Sequence, residues 1–341
     1  QEKMDSGKAL IRYFSIPCKP TKSNGMRTRN MPEHAPDKWL EFMEYCVQDV
    51  VVETAIRDQV KHFPVPEFDR QLWFLDQRIN DSGIELDMQF VDNAIRINDA
   101  YIDRLKTEAY NITGLSNPNS VSQLIGWMGE QGEQVDTLRK ADVKDMLLSD
   151  RLGDNDAVRQ ILEIRQEMSK TSVKKYASMQ AAVGHKSRVR GLFQFYGANR
   201  TGRWGGRLIQ PQNLPQNHLK DLELARMVTR SGDGAALEVM YGNVPDTLSQ
   251  LIRTAFVAGE NKRFIVSDFS AIEARVIAWL AGEQWRLDVF NTHGKIYEAS
   301  ASQMFGIALE LITKELRQKG KVAELALGYQ GGRGALEAMG A

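Results

Sequence analysis

Between residues 68 and 183 one apolar periodicity recurs with few interruptions. Apolar residues spaced three and four apart make one face of a helix, and chain punctuation sets where each helix stops. Leu72–Asn80 is expected to be helical and to end at Asp81-Ser82-Gly83. A short extended piece, 84–87, should cap a long helix over 88–111. Asn117-Pro118-Asn119 reads as a turn, and helices follow over 120–128, 140–148 and 155–183. So much amphipathic helix in sequence must pack upon itself, which predicts an elongated helical subdomain.

On either side the character differs. Residues 1–36 are expected to be irregular, with Pro17, Pro20, Pro32 and Pro36 among them; Asp37 opens a helix to about Val60, and 62–66 is a linker. From Gly191 to Asn217 glycine and amide residues predominate, which predicts loops and short strands. Further on the pattern predicts helices at 248–257, 271–281, 284–291, 297–305 and 313–329, and a strand over Lys262–Asp268. The fold class is therefore α+β and mostly helical. With 341 residues, 42% hydrophobic and 26% charged, the chain can bury more than one core and is neither disordered nor membrane-spanning. Cys18 and Cys46 make no disulfide framework and point to a reducing compartment. A net charge of zero is neutral on nucleic acid, but its distribution is not. Nine Lys or Arg lie between Lys170 and Arg207 with no Asp or Glu among them, and Tyr176, Phe193, Phe195, Tyr196 and Trp204 are interleaved. Clustered cations can neutralise phosphates; a solvated basic helix face followed by a loop is the alternative reading.

Three constellations carry chemistry. The first is Ser267-Asp-Phe-Ser-Ala-Ile-Glu-Ala-Arg-Val-Ile-Ala-Trp-Leu-Ala-Gly282. It sets Asp268 at the end of the apolar run Phe264–Val266, a common place for a metal ligand, with Glu273 five residues on. Taken alone, Asp268 reads equally well as a helix cap with Glu273 on the exposed side. The second is Arg317-x-x-x-Lys321-x-x-x-Leu325-x-x-x-Tyr329, whose spacing of four puts all four residues on one helix face. Arg can fork onto phosphate oxygens and Lys acts as a point charge. The third is Thr201-Gly-Arg-Trp-Gly-Gly-Arg-Leu-Ile-Gln-Pro-Gln-Asn-Leu-Pro215.

Together and in this order, the three resemble motif A, motif B and the Thr-Gly-Arg…Gln-Asn-Leu-Pro signature of family A DNA polymerases, the DNA polymerase I type. Lys321-Val-Ala-Glu-Leu-Ala-Leu-Gly-Tyr-Gln-Gly331 is similar to the phage and prophage branch. The resemblance implies a template-directed polymerase that adds dNTP to a primer 3′-OH by a two-Mg²⁺ mechanism, in phage or prophage DNA replication. Asp268 and the backbone carbonyl of Phe269 would be metal ligands, and Asp268, Arg317 and Lys321 the catalytic set. Glu273, Arg317, Lys321, Leu325, Tyr329 and Tyr297 would bind dNTP, with Glu273 leaving no room for a 2′-hydroxyl. Leu325 stands where relatives carry Phe or Tyr, Ala271 where many carry Gln, and Tyr297 where His is frequent. Arg203, Gln212 and Asn213 would donate to the minor-groove acceptors common to every base pair, and Lys170 and Lys174 would meet duplex phosphates. Ser116–Leu124 resembles a thumb segment. Upstream, Tyr45-Cys-Val-Gln-Asp49 resembles the last motif of DnaQ-type 3′–5′ exonucleases, with Tyr45 orienting water and Asp49 holding metal.

The organisation this implies is an exonuclease remnant of ribonuclease H-like fold over 1–64, a helical thumb over 65–190, a palm part with motif A over 191–285, and partial fingers with motif B over 286–341. No His-Asp-Glu motif C is found, since His185, His218 and His293 are not followed by Asp. The first residue is Gln1. Both observations lead us to expect a fragment, inactive alone, of a monomeric polymerase working on primer-template DNA in the cytoplasm or nucleoid of a bacterial host, with no membrane contact. A primer-template binding module without catalysis is the alternative. A single-subunit RNA polymerase is disfavoured by Glu273.

Overall fold

The computed structural model of the protein describes residues 6–149, 152 and 155–340. They divide into two compact units, Gln1–Glu260 and Asn261–Ala341.

The first unit begins with a helix that the proline spacing concealed. α1 (Gly7–Ser15) lies wholly before Pro17. It forms because Leu10 and Phe14, four apart, bury one face against α2 (Pro36–Val60). Phe14 packs edge-on to Trp39 at 5.1 Å and stacks on Phe42 at 5.6 Å. Pro36 occupies the first turn of α2, where its missing N–H has no partner to lose.

After the 62–66 linker, α3 (Glu67–Ser82) ends at Gly83, whose φ of +60° favours glycine. A Cβ at Gly83 would also stand 2.4 Å from the Val189 carbonyl oxygen. The chain then forms β1 (Ile84–Leu86) and enters α4 (Met88–Thr113). Asp87 caps α4 by accepting from the Phe90 N–H at 3.1 Å. Next come α5 (Val121–Glu130), α6 (Lys140–Leu148), α7 (Asp156–Met168) and α8 (Lys174–Ala182). The single helix expected over 155–183 is thus two. Between them Ser169 Oγ bonds back to the Gln166 carbonyl, and Ser172 Oγ meets Ser249 Oγ at 2.7 Å. Side-chain hydroxyls that bond locally or across to another element compete with a helical path.

β2 (Arg188–Val189), β3 (Phe193–Ala198) and β4 (Arg203–Gly206) follow. α9 (Leu222–Ser231) and α10 (Gly234–Tyr241) were not anticipated. α11 (Val244–Leu251) replaces the helix expected at 248–257. It starts earlier because Asn243 caps the Asp246 N–H at 2.8 Å, and it gives way to a tight turn and β5 (Phe256–Val257). β1 is the centre of an antiparallel sheet of order β2-β1-β5, with Ile84 opposite Val189 and Glu85 opposite Val257. β3 and β4 form a separate hairpin in which Gly197 and Gly205 face each other too closely for a Cβ on Gly197.

Two apolar cores share α4. Its first half, through Phe90, Val91 and Ala94, packs with Tyr176, Leu248 and Ile252. The Tyr176 hydroxyl, fully buried, donates to the Leu248 carbonyl at 2.7 Å. The second half, through Leu105 and Ala109, packs with Leu124, Met128, Ile161 and Leu162. Full burial of side chains of this size contributes roughly 1.5–3 kcal/mol each.

The second unit is helical: α12 (Ile272–Ala281), α13 (Gln284–Thr292), α14 (Ile296–Phe305), α15 (Lys314–Gly328) and α16 (Arg333–Ala338). The strand expected at Lys262–Asp268 is absent. The run is irregular and exposed, and no strand pairs with it among the described residues. Apolar β-branched residues suit a pleated surface, but only a neighbouring strand satisfies the backbone groups. The α+β, mostly helical class stands. Among the described residues no helix is long and apolar enough to cross a membrane.

Candidate active site

The second unit holds a cavity of about 370 Å³ whose wall includes Asp268, Phe269, Glu273, Tyr297, Leu325 and Tyr329. The exposed run 262–270 delivers Asp268 and Phe269 to it. Ala271 then turns the chain into α12 with φ +49°, a left-handed conformation costly for a residue with a Cβ. Arg275 steadies the turn by donating from Nε to the Ser270 carbonyl at 2.8 Å. Glu273, in the first turn of α12, accepts a hydrogen bond from the Tyr329 hydroxyl. Tyr329 follows the last residue of α15, so two helix ends are joined across the cavity by a phenol and a carboxylate.

α15 is set by Thr313, whose hydroxyl accepts from the Leu316 N–H at 3.3 Å. Of the four residues spaced along it, Leu325 and Tyr329 reach the cavity wall, whereas Arg317 and Lys321 do not. Arg317 Nε contacts Glu298 Oε1 at 2.9 Å, and its guanidinium lies over the Tyr297 ring at 5.3 Å. Lys321 is half-buried one turn on.

Three charged wall residues are not singled out by the sequence: Glu283, Arg286 and Glu324. Arg286 bridges the other two, at 2.7 Å to Glu283 and in close contact with Glu324. Glu324 did carry a signal, since it lies on a helix whose buried positions are otherwise Gly320, Val322, Ala323 and Ala326.

The donor set for divalent ions is incomplete. Asp268 and the Phe269 carbonyl are present, but among the described residues no three His, Cys, Asp or Glu come together to hold a metal ion. One carboxylate and one carbonyl do not make a site for two ions.

In the first unit, Arg203 on β4 and Gln212 and Asn213 in the turn at 211–213 are exposed. β4 and this turn adjoin at Gly206, which admits the Gln212 side chain; a Cβ there would lie 2.1 Å from Gln212 Nε2. Lys174 is exposed at the start of α8. Lys170 is engaged, with Nζ 2.5 Å from Asp246. On α2, a hydrogen bond to Asp49 holds the Tyr45 hydroxyl above the ordinary tyrosine range. No group of three potential ligands includes this pair among the described residues.

A family model for DNA polymerase family A matches residues 89–338. The chain belongs to DNA polymerase family A. It is 57% identical over 342 residues to the DNA polymerase of Bacillus phage SP02, covering 100% of this chain and 52% of that protein. A thermostable DNA polymerase I of Thermus aquaticus is 35% identical over 103 residues, 30% of this chain and 12% of that protein. Among solved structures, the polymerase domain of an M. smegmatis DNA polymerase, in complex with a DNA primer-template and dNTP, aligns with a TM-score of 0.52 at 17% identity. That alignment covers 99% of this chain and 55% of the solved one, and it shows a shared fold. The chain spans about half the length of the phage relative.

Proposed function

We propose that this chain forms the thumb, part of the palm and part of the fingers of a phage-type, template-directed DNA polymerase, preceded by the tail of a 3′–5′ exonuclease domain. The observation that carries the reading is the cavity where Asp268, Glu273 and Tyr329 converge, with Glu273 and Tyr329 hydrogen-bonded. The bonded pair forms a rigid wall at the sugar of an incoming dNTP, and a 2′-hydroxyl there would displace Tyr329 from Glu273. Arg317 and Lys321 serve the triphosphate; Arg317 exchanges Glu298 for phosphate oxygens when nucleotide arrives. Leu325 gives an apolar contact beside the base, and Tyr297 a flat face behind Arg317. Arg203, Gln212 and Asn213 donate to minor-groove acceptors of the primer-template duplex. Lys174 meets phosphate directly, and Lys170 does so by leaving Asp246.

Bound Mg²⁺ would lower the barrier to attack of the primer 3′-OH on the α-phosphate by neutralising charge. Asp268 is one of its ligands in this reading, and a second carboxylate is supplied by the polymerase sequence beyond these residues. The length of the phage relative supports that division.

Primer extension with this chain and with the full-length polymerase in parallel tests the proposal. Template-dependent incorporation by the full-length protein and only duplex binding by this chain is the expected pair of results. Incorporation by neither removes the polymerase reading and leaves a primer-template binding module.

A further inference from the structure

A carboxylate on the packed face of α15 needs a reason. The Glu324 side chain is only 5% exposed, on a helix whose buried residues are Gly320, Val322, Ala323 and Ala326. Both its oxygens are occupied. Oε1 accepts from Ser300 Oγ of α14 at 2.5 Å, and Oε2 pairs with Arg286 Nη1 of α13. Arg286 is itself oriented by Glu283 at 2.7 Å and by lying over the Trp285 ring at 4.8 Å. One turn before Glu324, Gly320 abuts α14 so closely that a Cβ would stand 2.1 Å from the Tyr297 carbonyl oxygen. α15 is therefore held at two heights, by a backbone contact and by an ion pair.

Net stability does not explain this arrangement. Two charges taken from water gain little over an apolar pair of similar volume. Direction is what the ion pair adds. A methylene contact tolerates rotation, whereas a carboxylate fixed by a guanidinium and a hydroxyl from two other helices does not. Rotation matters on α15, because each residue of slip turns the helix by about 100°. Such a slip would turn the face that carries Arg317 and Lys321 and pull Tyr329 from Glu273. Each Glu324 oxygen is engaged by a different helix, Oε1 by Ser300 of α14 and Oε2 by Arg286 of α13.

We propose that Glu324, with Arg286 as its counter-ion, is a positioning residue that sets the rotation of α15 and so presents Arg317, Lys321 and Tyr329 to the nucleotide. This rests on the polymerase reading above for its functional consequence, but the rotational lock itself does not.

The test uses Glu324→Gln, Arg286→Gln and the double variant in the full-length polymerase. Glutamine preserves the shape and the Ser300 bond while removing the charge. We expect the KM for dNTP to rise about tenfold in each single variant, with kcat within about threefold, and the double variant to be no worse than the poorer single. The Kd for primer-template should not change. Hydrogen exchange of the amides at 321–328 should quicken about tenfold in the variants while exchange in the first unit is unaltered. Unchanged KM and unchanged exchange overturn the proposal. Additive losses accompanied by a general fall in thermal stability also overturn it, as they would make the pair merely structural. If the parent polymerase incorporates no dNTP, the functional reading fails, and exchange at 321–328 alone decides whether the lock exists.

Discussion

Asp87 and Asp268 share a local sequence pattern: an apolar run, a carboxylate, then a helix. Their fates differ. Ile84–Leu86 becomes the central strand of a three-stranded sheet, and Asp87, with its side chain 11% exposed, caps α4 while pairing with Arg226 at 2.6 Å and Arg230 at 2.8 Å. Phe264–Val266 pairs with no strand among the described residues, and Asp268 stands exposed on the wall of a cavity. A carboxylate whose acceptors are all used holds the fold. One left open at a cavity is available for chemistry.

The comparison can be broken by substitution. The largest effect is expected at Asp268. Asp268→Ala should lower primer extension by at least about 10³-fold in the full-length polymerase. Its folding free energy should stay within about 0.5 kcal/mol and its duplex affinity should hold; retained turnover would remove Asp268 from the reaction. Next comes Glu273→Ala, which takes away the acceptor of the Tyr329 bond. Discrimination between dNTP and NTP should fall about 10²-fold in single-nucleotide incorporation, and an unaltered ratio would detach the pair from sugar recognition. Asp87→Ala is the mirror of the first. It leaves two guanidinium groups uncompensated and a helix uncapped, so a loss of about 2–4 kcal/mol in denaturant unfolding is expected. Activity per folded molecule should be unchanged.

The smallest effect is on pH dependence. Burial opposes ionisation of Asp87, but the Phe90 N–H, Arg230 and Arg226 outweigh it and hold the carboxyl below its ordinary value of 3.8. Asp246 behaves likewise, with burial outweighed by Lys170 and Gln250. A lowered folded-state value means that the unfolded chain takes up protons first as pH falls. Both carboxylates therefore contribute fully above the ordinary value, and their contribution is lost as pH drops through the folded-state values. Unfolding midpoints measured from pH 6 to pH 3 should fall less in Asp87→Asn than in the parent, and equal slopes would contradict this linkage.

What could be read from the chain alone follows the same division. α2, α4, α6 and α15 came close to their observed bounds because their apolar spacing and end signals agree, as at Pro36, Asp87, Gly114 and Thr313. α1 was hidden because its two anchors, Leu10 and Phe14, gain meaning only against Trp39 and Phe42. The break at Ser169–Val173 depends on a partner at Ser249, far away in sequence. At the candidate site, the spacing of Leu325 and Tyr329 found the cavity wall, and motif order found Asp268 and Glu273. Arg286 was not legible, since nothing in its neighbourhood announces a partner 38 residues on. Nor could spacing say that Arg317 rests on Glu298.

The unpaired run before Asp268 has one more consequence. Ile265 and Val266 are 85% and 90% exposed, and Phe264 is 50% exposed, so an apolar run lies open to any chain that can pair with it. Lys262, Arg263 and Asp268 flank it as charged gatekeepers. Self-association of this chain through that run is the expected outcome, and a fall in solubility with rising concentration would be its readout.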